Sequence, residues 1–314
     1  MSLREPSVSA IVVNWNTREL LRECLGALAR QGSSGWLRIV CIDNGSTDGS
    51  VEMVQRGFPS VVLVPNPDNV GFARACNQGI ELAMAEDGAE YVALVNSDVV
   101  VTPDTISALV AQMADHPEVA AVGPALRLAD GRLQVGAAGF APTAWSGIGQ
   151  FLFLAALTRG WWRGLFLDQG RFVGHTRPVP VDWVGGACVV ARVAAIRQVG
   201  MLDGRFFLYG EDIEWGCRMG RSSLSVWYIP RLEVLHRQGG SQPHPNPRWL
   251  AATCELVRHD RGRFEYLVFR LAAAMGLGIR QVLYHLAYLV SGQEHYRRRA
   301  SDMGVYARWA IGRG

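Results

Sequence analysis

The chain has 314 residues, of which 49% are hydrophobic and 19% charged, with a net charge of +3. These proportions exclude a disordered chain. The small net charge, with no basic stripe interleaved with aromatics, argues against a nucleic-acid reader.

In chain order, residues 9–13 form a β-branched run that predicts a first strand. Thr17 is placed to cap a helix reaching about Gln31, with Leu20, Leu21, Cys24, Leu25 and Leu28 at helical spacing. Residues 37–42 predict a second strand ending at Asp43, and Asp48-Gly49-Ser50 opens a second helix that stops near Phe58-Pro59. Residues 61–64 read as a strand, 71–84 as a helix, 91–95 as a strand, 105–113 as a helix and 119–122 as a strand. Strands alternating with helices predict an α/β fold with a mostly parallel central sheet covered on both faces.

Three polar loops follow the first, second and fourth strands: Asn14-Trp15-Asn16, Asp43-Asn44-Gly45-Ser46 and Asn96-Ser97-Asp98. Parallel strands deliver all three to the carboxyl edge of the sheet, where open α/β sheets bind ligands. Asp98 offers an oxygen ligand suited to a hard divalent cation on nucleotide phosphates. Taken alone it is equally well read as a helix N-cap, because Thr102-Pro103-Asp104 follows. No Gly-x-Gly-x-x-Gly follows the first strand, and the chain has no Gly-x-x-x-x-Gly-Lys-Ser/Thr. A dinucleotide-binding site and a phosphate-binding P-loop are therefore not expected.

The segments Asn14-Trp15-Asn16, Asp43-Asn44-Gly45-Ser46-Thr47-Asp48-Gly49-Ser50, Asn69-Val70-Gly71-Phe72-Ala73-Arg74-Ala75-Cys76-Asn77, Asn96-Ser97-Asp98, Gly185-Gly186-Ala187-Cys188 and Phe206-Phe207-Leu208-Tyr209-Gly210-Glu211-Asp212, closed by His236, resemble the family 2 inverting glycosyltransferases of the GT-A fold. Their order and spacing look most like the bacterial rhamnosyltransferase branch. The resemblance implies that Asp43 accepts from the N3–H of a pyrimidine and that Asn14 and Asn16 line the nucleoside pocket. It implies that Arg74 faces the diphosphate, with Asn69 and Asn77 shaping its loop and helix. Asn96-Ser97-Asp98 stands where the family has Asp-x-Asp, so one carboxylate, Asp98, is left for a Mg²⁺ or Mn²⁺ ion, with His236 as a second ligand. Asp212 is implied as the general base, with Glu211 binding acceptor or sharing that role. Gly185 and Gly186 leave room for the donor, and Trp183 is either a sugar-stacking platform or a core indole.

The same resemblance implies a nucleoside-diphosphate sugar donor, expected to be dTDP-rhamnose, and a lipid-linked or cell-envelope glycan acceptor. A UDP- or GDP-sugar donor and a catalytically impaired nucleotide-sugar-binding protein are the alternatives. A nucleotidyltransferase is a third, disfavoured because Asn14-Trp15-Asn16-Thr17 is not a Gly-rich basic loop.

The domain expectation is a catalytic domain over residues 1–241 and a helical region over 242–314, divided by the Pro-rich stretch 242–247. Within the first, residues 140–180 read as an aromatic-rich insertion in which Arg159 and Arg163 interrupt Trp145, Trp161 and Trp162. Aromatics beside arginine suit a membrane–water boundary. The tail is apolar at helical spacing and rich in arginine, which suits either an anionic bilayer surface or a homodimer. The six cysteines form no Cys-x-x-Cys pair and read as reduced, buried thiols. No apolar leader core precedes Ser7, and no eighteen-residue apolar run lacks charge. The expectation is thus a cytoplasmic protein, peripheral on the inner membrane face if it touches membrane at all, without a spanning helix.

Overall fold

The structure, a computed structural model, describes residues 7–31, 35–86, 88–158, 161–237 and 246–312. Arg159 and residues 242–245 of the Pro-rich stretch lie outside the described residues. The chain divides into two compact units, one of residues 1–139 with 167–241 and the other of 140–166 with 242–314.

In chain order the first unit contains β1 (Val8–Asn14), α1 (Arg18–Ala29), β2 (Leu37–Asp43), α2 (Ser50–Gly57), β3 (Val62–Pro65), α3 (Phe72–Glu86), β4 (Tyr91–Asn96), β5 (Val99–Val100), α4 (Thr105–Ala111), β6 (Val119–Arg127) and β7 (Ala138–Gly139). The second unit contributes α5 (Ala144–Phe151) and α6 (Leu154–Leu157) before the chain returns to the first for β8 (Val179–Val181), β9 (Trp183–Val184), β10 (Cys188–Arg192), α7 (Val193–Val199), α8 (Glu211–Arg221) and β11 (Ser225–His236). The helices α9 (Arg248–Ser291) and α10 (Glu294–Ala310) complete the second unit.

The main sheet runs β3-β2-β1-β4-β10-β6-β11-β5, with β8 also on β11. Its first four strands are parallel. β10 is antiparallel between β4 and β6, and β6 and β11 pair in parallel. The sheet is thus mixed but mostly parallel along its N-terminal half, as the alternating pattern predicted. β1 is buried at every position, which is why it is a continuous apolar run and not an alternating one. α1 covers it with Leu21, Cys24, Leu25 and Leu28 at spacings of three and four. The strand expected at 119–122 continues to Arg127, because the next residues are also buried. Register aligns Asn14 with Asp43 and Val13 with Asn96, so the three polar loops start level at one edge.

In the second unit Thr143 and Ser146 form a reciprocal capping box at the start of α5. Phe151, Leu165, Leu250, Phe269, Leu277 and Ala310 share a core. α9 is broken at Gly262, whose φ of 87° is non-helical. The aromatic-rich stretch therefore divides: residues 140–166 fold with the C-terminal helices and 167–180 with the sheet. By length and composition alone α9 is apolar enough to cross a membrane, where the charge pattern had predicted no such helix. Cys24, Cys41, Cys76, Cys188 and Cys254 are buried and unbridged. Burial pushes the Cys188 thiol up to about 12.

Candidate active site

Asp43 is 1% exposed. Its Oδ2 accepts from Asn14 Nδ2 (2.8 Å) and its Oδ1 from the Ser46 N–H (2.9 Å). A buried carboxylate is tolerable only when hydrogen-bonded, and these two donors tie the loops after β1 and β2 together. Asn16 adopts a left-handed φ of 53° and accepts from the Thr47 N–H, while its own N–H donates to Ser46 Oγ. Thr17 occupies the N-cap position of α1 but makes no capping bond. Its hydroxyl instead donates to Asn14 Oδ1 and pairs with Ser97 Oγ, both at 2.7 Å. A helix cap has been diverted to join the first loop to the third.

Asp98 does not cap a helix. Its Oδ1 lies 3.1 Å from His236 Nε2, at the end of β11. The other ring nitrogen, Nδ1, faces Gln134 Oε1 at 2.5 Å. Gln134, which the sequence pattern did not single out, comes from the loop after β6. Its carbonyl accepts from Gln169 Nε2, and Gln169 Oε1 accepts from the buried Tyr228 hydroxyl. No group of three His, Cys, Asp or Glu side chains forms a metal cluster among the described residues. A hard cation takes six or more oxygen ligands. One carboxylate and one imidazole thus fit an ion that shares its coordination with a diphosphate. Asn96 Oδ1 is buried and without a partner beside this pair in sequence.

The acid pair begins α8. The two residues before it, Tyr209 (φ 71°) and Gly210 (φ 95°), both sit in the left-handed region, a strained entry for tyrosine. Asp212 is partly buried. Its Oδ2 accepts from the Gly186 N–H (3.0 Å) and its Oδ1 from the Ile213 N–H (2.8 Å). Burial raises its carboxyl above the usual range, and those two donors oppose the rise. Glu211 is 4% exposed and its Oε2 has no partner. Burial, then the Asp212 charge, push its carboxyl up to about 8. The two neighbours are therefore unlike: Asp212, partly buried, is held by two backbone donors, and Glu211 is buried with one oxygen unpartnered.

α3 is laid against the segment leading to α8. A Cβ on Gly71 would lie 2.9 Å from the Phe207 carbonyl oxygen, and the Phe72 N–H donates to that same oxygen. Asn77 exchanges two hydrogen bonds with the Leu202 backbone, and Arg74 Nε donates to the Gly204 carbonyl. Asn69 Oδ1 accepts from Asn44 Nδ2 and from the Gly71 N–H. Asn69 and Asn77 thus spend their amides on loop structure. Arg218 fixes the far side of α8, pairing with Glu214 and donating to the Val199 and Met201 carbonyls.

Contacts link the three regions. The Asp43–Asn14–Thr17–Ser97 chain reaches the third loop, the Asn96 N–H donates to the Ala187 carbonyl, and the adjacent Gly186 holds Asp212. Gly185 packs near Gly136, leaving little space at its Cα. Trp183 corrects one expectation. It is 2% exposed and its backbone packs on Gly216 of α8, so it is a core indole and offers no stacking platform. An open hollow of about 550 Å³ borders Arg18, Ser46, Thr47, Glu52 and Arg56, on the flank of the second loop and not at Asp98 or Asp212.

Residues 9–153 match the model of glycosyl transferase family 2. An N-acetylglucosaminyl-diphospho-decaprenol L-rhamnosyltransferase of Mycobacterium tuberculosis is 33% identical over 242 residues, covering 74% of this chain and 75% of that protein. Among solved structures, the mannosyltransferase PcManGT from Pyrobaculum calidifontis, in complex with GDP-Man and Mn²⁺, superposes with a TM-score of 0.60 at 16% identity, over 98% of this chain and 87% of that one. GalNAc-T7 with UDP, GalNAc and Mn²⁺ superposes with a TM-score of 0.58 at 17% identity, over 81% of this chain, which spans about half (48%) of that one. These structural likenesses show the GT-A fold that the sequence motifs implied. Motifs, sheet order and relatives agree that the chain is a glycosyltransferase and belongs to glycosyl transferase family 2.

Proposed function

We propose that this enzyme moves a sugar from a nucleoside-diphosphate donor to a hydroxyl of a lipid-linked or cell-envelope glycan, with inversion at the anomeric carbon, and that the donor is dTDP-rhamnose. The observation that carries the reading is the Asp212 carboxylate fixed by the Gly186 N–H, on the turn whose next carbonyl, Ala187, accepts from the Asn96 N–H two residues before Asp98. The relative from Mycobacterium tuberculosis is named for rhamnosyl transfer to a decaprenol-linked acceptor, which supports this sugar and acceptor class. That acceptor class also suits a cytoplasmic enzyme working at the inner face of the cell membrane.

In this reading the acceptor oxygen attacks the anomeric carbon as the bond to the diphosphate breaks, its electron pair leaving on the phosphate oxygen. Asp212 takes the acceptor proton. Its raised affinity for a proton suits that role better than an ordinary aspartate would. Glu211 is buried, so this reading gives it no proton-transfer step of its own. Asp98 and His236 would hold a divalent cation, Mg²⁺ or Mn²⁺, which when bound would supply positive charge to the diphosphate. Arg74 presents the rest of its guanidinium to the same group. Asp43 braces Asn14 and Ser46 around the nucleoside, and the second lone pairs of its oxygens are the acceptors for a pyrimidine N3–H. Asn16 and Asn96 line the same edge, and Gly186, beside Asp212, keeps a side chain out of the donor's path, while Gly185 serves the packing against Gly136.

The test is a transfer assay on the full chain with dTDP-rhamnose, UDP-N-acetylglucosamine and GDP-mannose against a polyprenyl-diphosphate N-acetylglucosamine acceptor, with the product's anomeric configuration read by NMR. Transfer from dTDP-rhamnose with inversion is expected. Preferential use of another donor would overturn the sugar assignment, and a retained configuration would overturn the displacement.

A further inference from the structure

We infer that the outward face of α9, from Phe264 to Val290, is the surface on which this protein rests on an anionic lipid bilayer. Phe264, Leu267, Leu271, Met275, Leu286 and Leu289 are all exposed, Phe264 at 80%, and Val290 ends the strip at 90%. Their spacing keeps them on one face. At 1.5 Å per residue the strip is about 40 Å long. Soluble proteins rarely expose an apolar patch of that extent without using it. The opposite side of the helix is already occupied, burying Phe269, Ala273 and Leu277 with Phe151 and Leu165. Arg280 lies on that inner side and donates to the Gln150 and Phe151 carbonyls. One-sided exposure means a helix lying in the interface plane, not one crossing it.

Charge selects the occupant. This unit carries thirteen arginines against five acidic residues, and the rest of the chain eighteen against twenty-three. The one acidic residue within the strip's span, Glu265, accepts from the Ala144 N–H. Exposed arginines stand at both ends of the strip, at 261 and 263 before it and at 297, 298 and 299 after it, of which Arg297 is paired with the exposed Glu294. A second copy laid on this face would set arginine clusters against one another. An anionic headgroup layer receives them while its acyl boundary takes the leucines. Trp161, 87% exposed in the same unit, is a residue type that favours such a boundary. None of this depends on the transferase chemistry.

The experiment is flotation of the full chain with phosphatidylcholine vesicles, with and without phosphatidylglycerol. Binding to the phosphatidylglycerol vesicles that weakens with added salt is expected. Leu267→Asp with Leu286→Asp should lower partitioning at least ~10-fold with an unchanged circular dichroism spectrum. Arg297→Gln, Arg298→Gln and Arg299→Gln together should lower it on the anionic vesicles while leaving the strip intact. No binding to either vesicle, equal binding to both, or a sedimentation dimer that Leu267→Asp dissolves would each overturn the inference.

Independently, the geometry assigns Gln134 a positioning role that rests on reading Asp98 and His236 as cation ligands. A cation on His236 would take the Nε2 lone pair and so require the ring proton on Nδ1, where Gln134 Oε1 stands at 2.5 Å to accept it and fix the ring. Asp98 Oδ1 and His236 Nε2 lie 3.1 Å apart, close enough for both to reach one cation. The Gln169–Tyr228 pair holds Gln134 in place from behind.

Mn²⁺ binding in the presence of dTDP, followed by electron paramagnetic resonance, tests this together with the ¹⁵N shifts of His236. Gln134→Leu should weaken Mn²⁺ roughly 10-fold or more and mix the tautomers, and Gln134→Glu should restore both. If Asp98→Ala binds Mn²⁺ like the unsubstituted enzyme, the cation reading itself fails. If Asp98→Ala loses the ion and Gln134→Leu keeps it, only the role of Gln134 fails.

Discussion

The sheet edge of the first unit and the long helix of the second solve opposite problems. At the edge, polar side chains are turned on one another: Asp43, Asn14, Thr17 and Ser97 form one hydrogen-bonded chain, and Asp98, His236 and Gln134 another. On α9, apolar side chains from Phe264 to Val290 face outward. A site that must hold charge in fixed places needs its ligands locked by neighbours before substrate arrives. A surface that meets something fluid needs area and not fixed geometry. The two regions should therefore respond to substitution differently, sharply and locally at the edge, gradually and additively on the helix.

The largest effect that would sharpen this contrast lies at Asp212. Asp212→Asn should lower turnover by about 10²–10⁴-fold while donor affinity, measured by calorimetry, stays within about twofold. Turnover near normal would move the base elsewhere. Next comes the cation: Asp98→Ala should weaken Mn²⁺ binding at least ~10-fold, and chelation of divalent ions should abolish transfer until Mn²⁺ or Mg²⁺ is returned. Activity indifferent to chelation would remove the cation from the scheme.

A stability effect follows. Arg218 is the main partner of the largely buried Glu214 and ties α8 to the Val199 and Met201 carbonyls. Arg218→Met should cost roughly 1–3 kcal/mol in urea unfolding, because it leaves the Glu214 carboxylate only the more exposed Arg221 at 3.3 Å, and a loss below ~0.5 kcal/mol would show that Arg221 and solvent already support Glu214. The smallest effect is a pH dependence. Glu211 binds its proton more tightly folded, to about 8, than unfolded, near the ordinary glutamate range. The folded state thus holds more protons in that window, and stability falls as pH rises from about 5 to 8. Glu211→Gln should flatten that slope in thermal melts, and an unchanged slope would mean that Glu211 is charged when folded.

β1, β2 and β4 were legible because each is a short apolar run buried at nearly every position, and the loops that follow them declared themselves by polarity. The pairing of Asp98 with His236 was legible only through the family motifs, since 138 residues separate them. Gln134 was not legible at all: a single glutamine in a loop carries no periodic or spacing signal. Trp183 misled because Asp182-Trp183-Val184-Gly185-Gly186 looks like an open turn, whereas the turn is covered by α8 through the close approach of Gly216. Thr17 sat where a cap belongs, and only the structure shows its hydroxyl serving Asn14 and Ser97. The allegiance of residues 140–166 to the C-terminal helices is a long-range packing choice, made by Phe151 and Leu165 against Phe269 and Leu277.

The seam between Gly71 and Phe207 has a mechanical consequence. Backbone meets backbone there, so no side chain at 207 can be trimmed to admit a methyl group at 71. With the Asn77–Leu202 and Arg74–Gly204 bonds along the same line, the helix that carries Arg74 and the segment that feeds Asp212 behave as one plate. A shift of that helix would be passed through the seam to the base of α8, so Arg74 and Asp212 stand on one shared support.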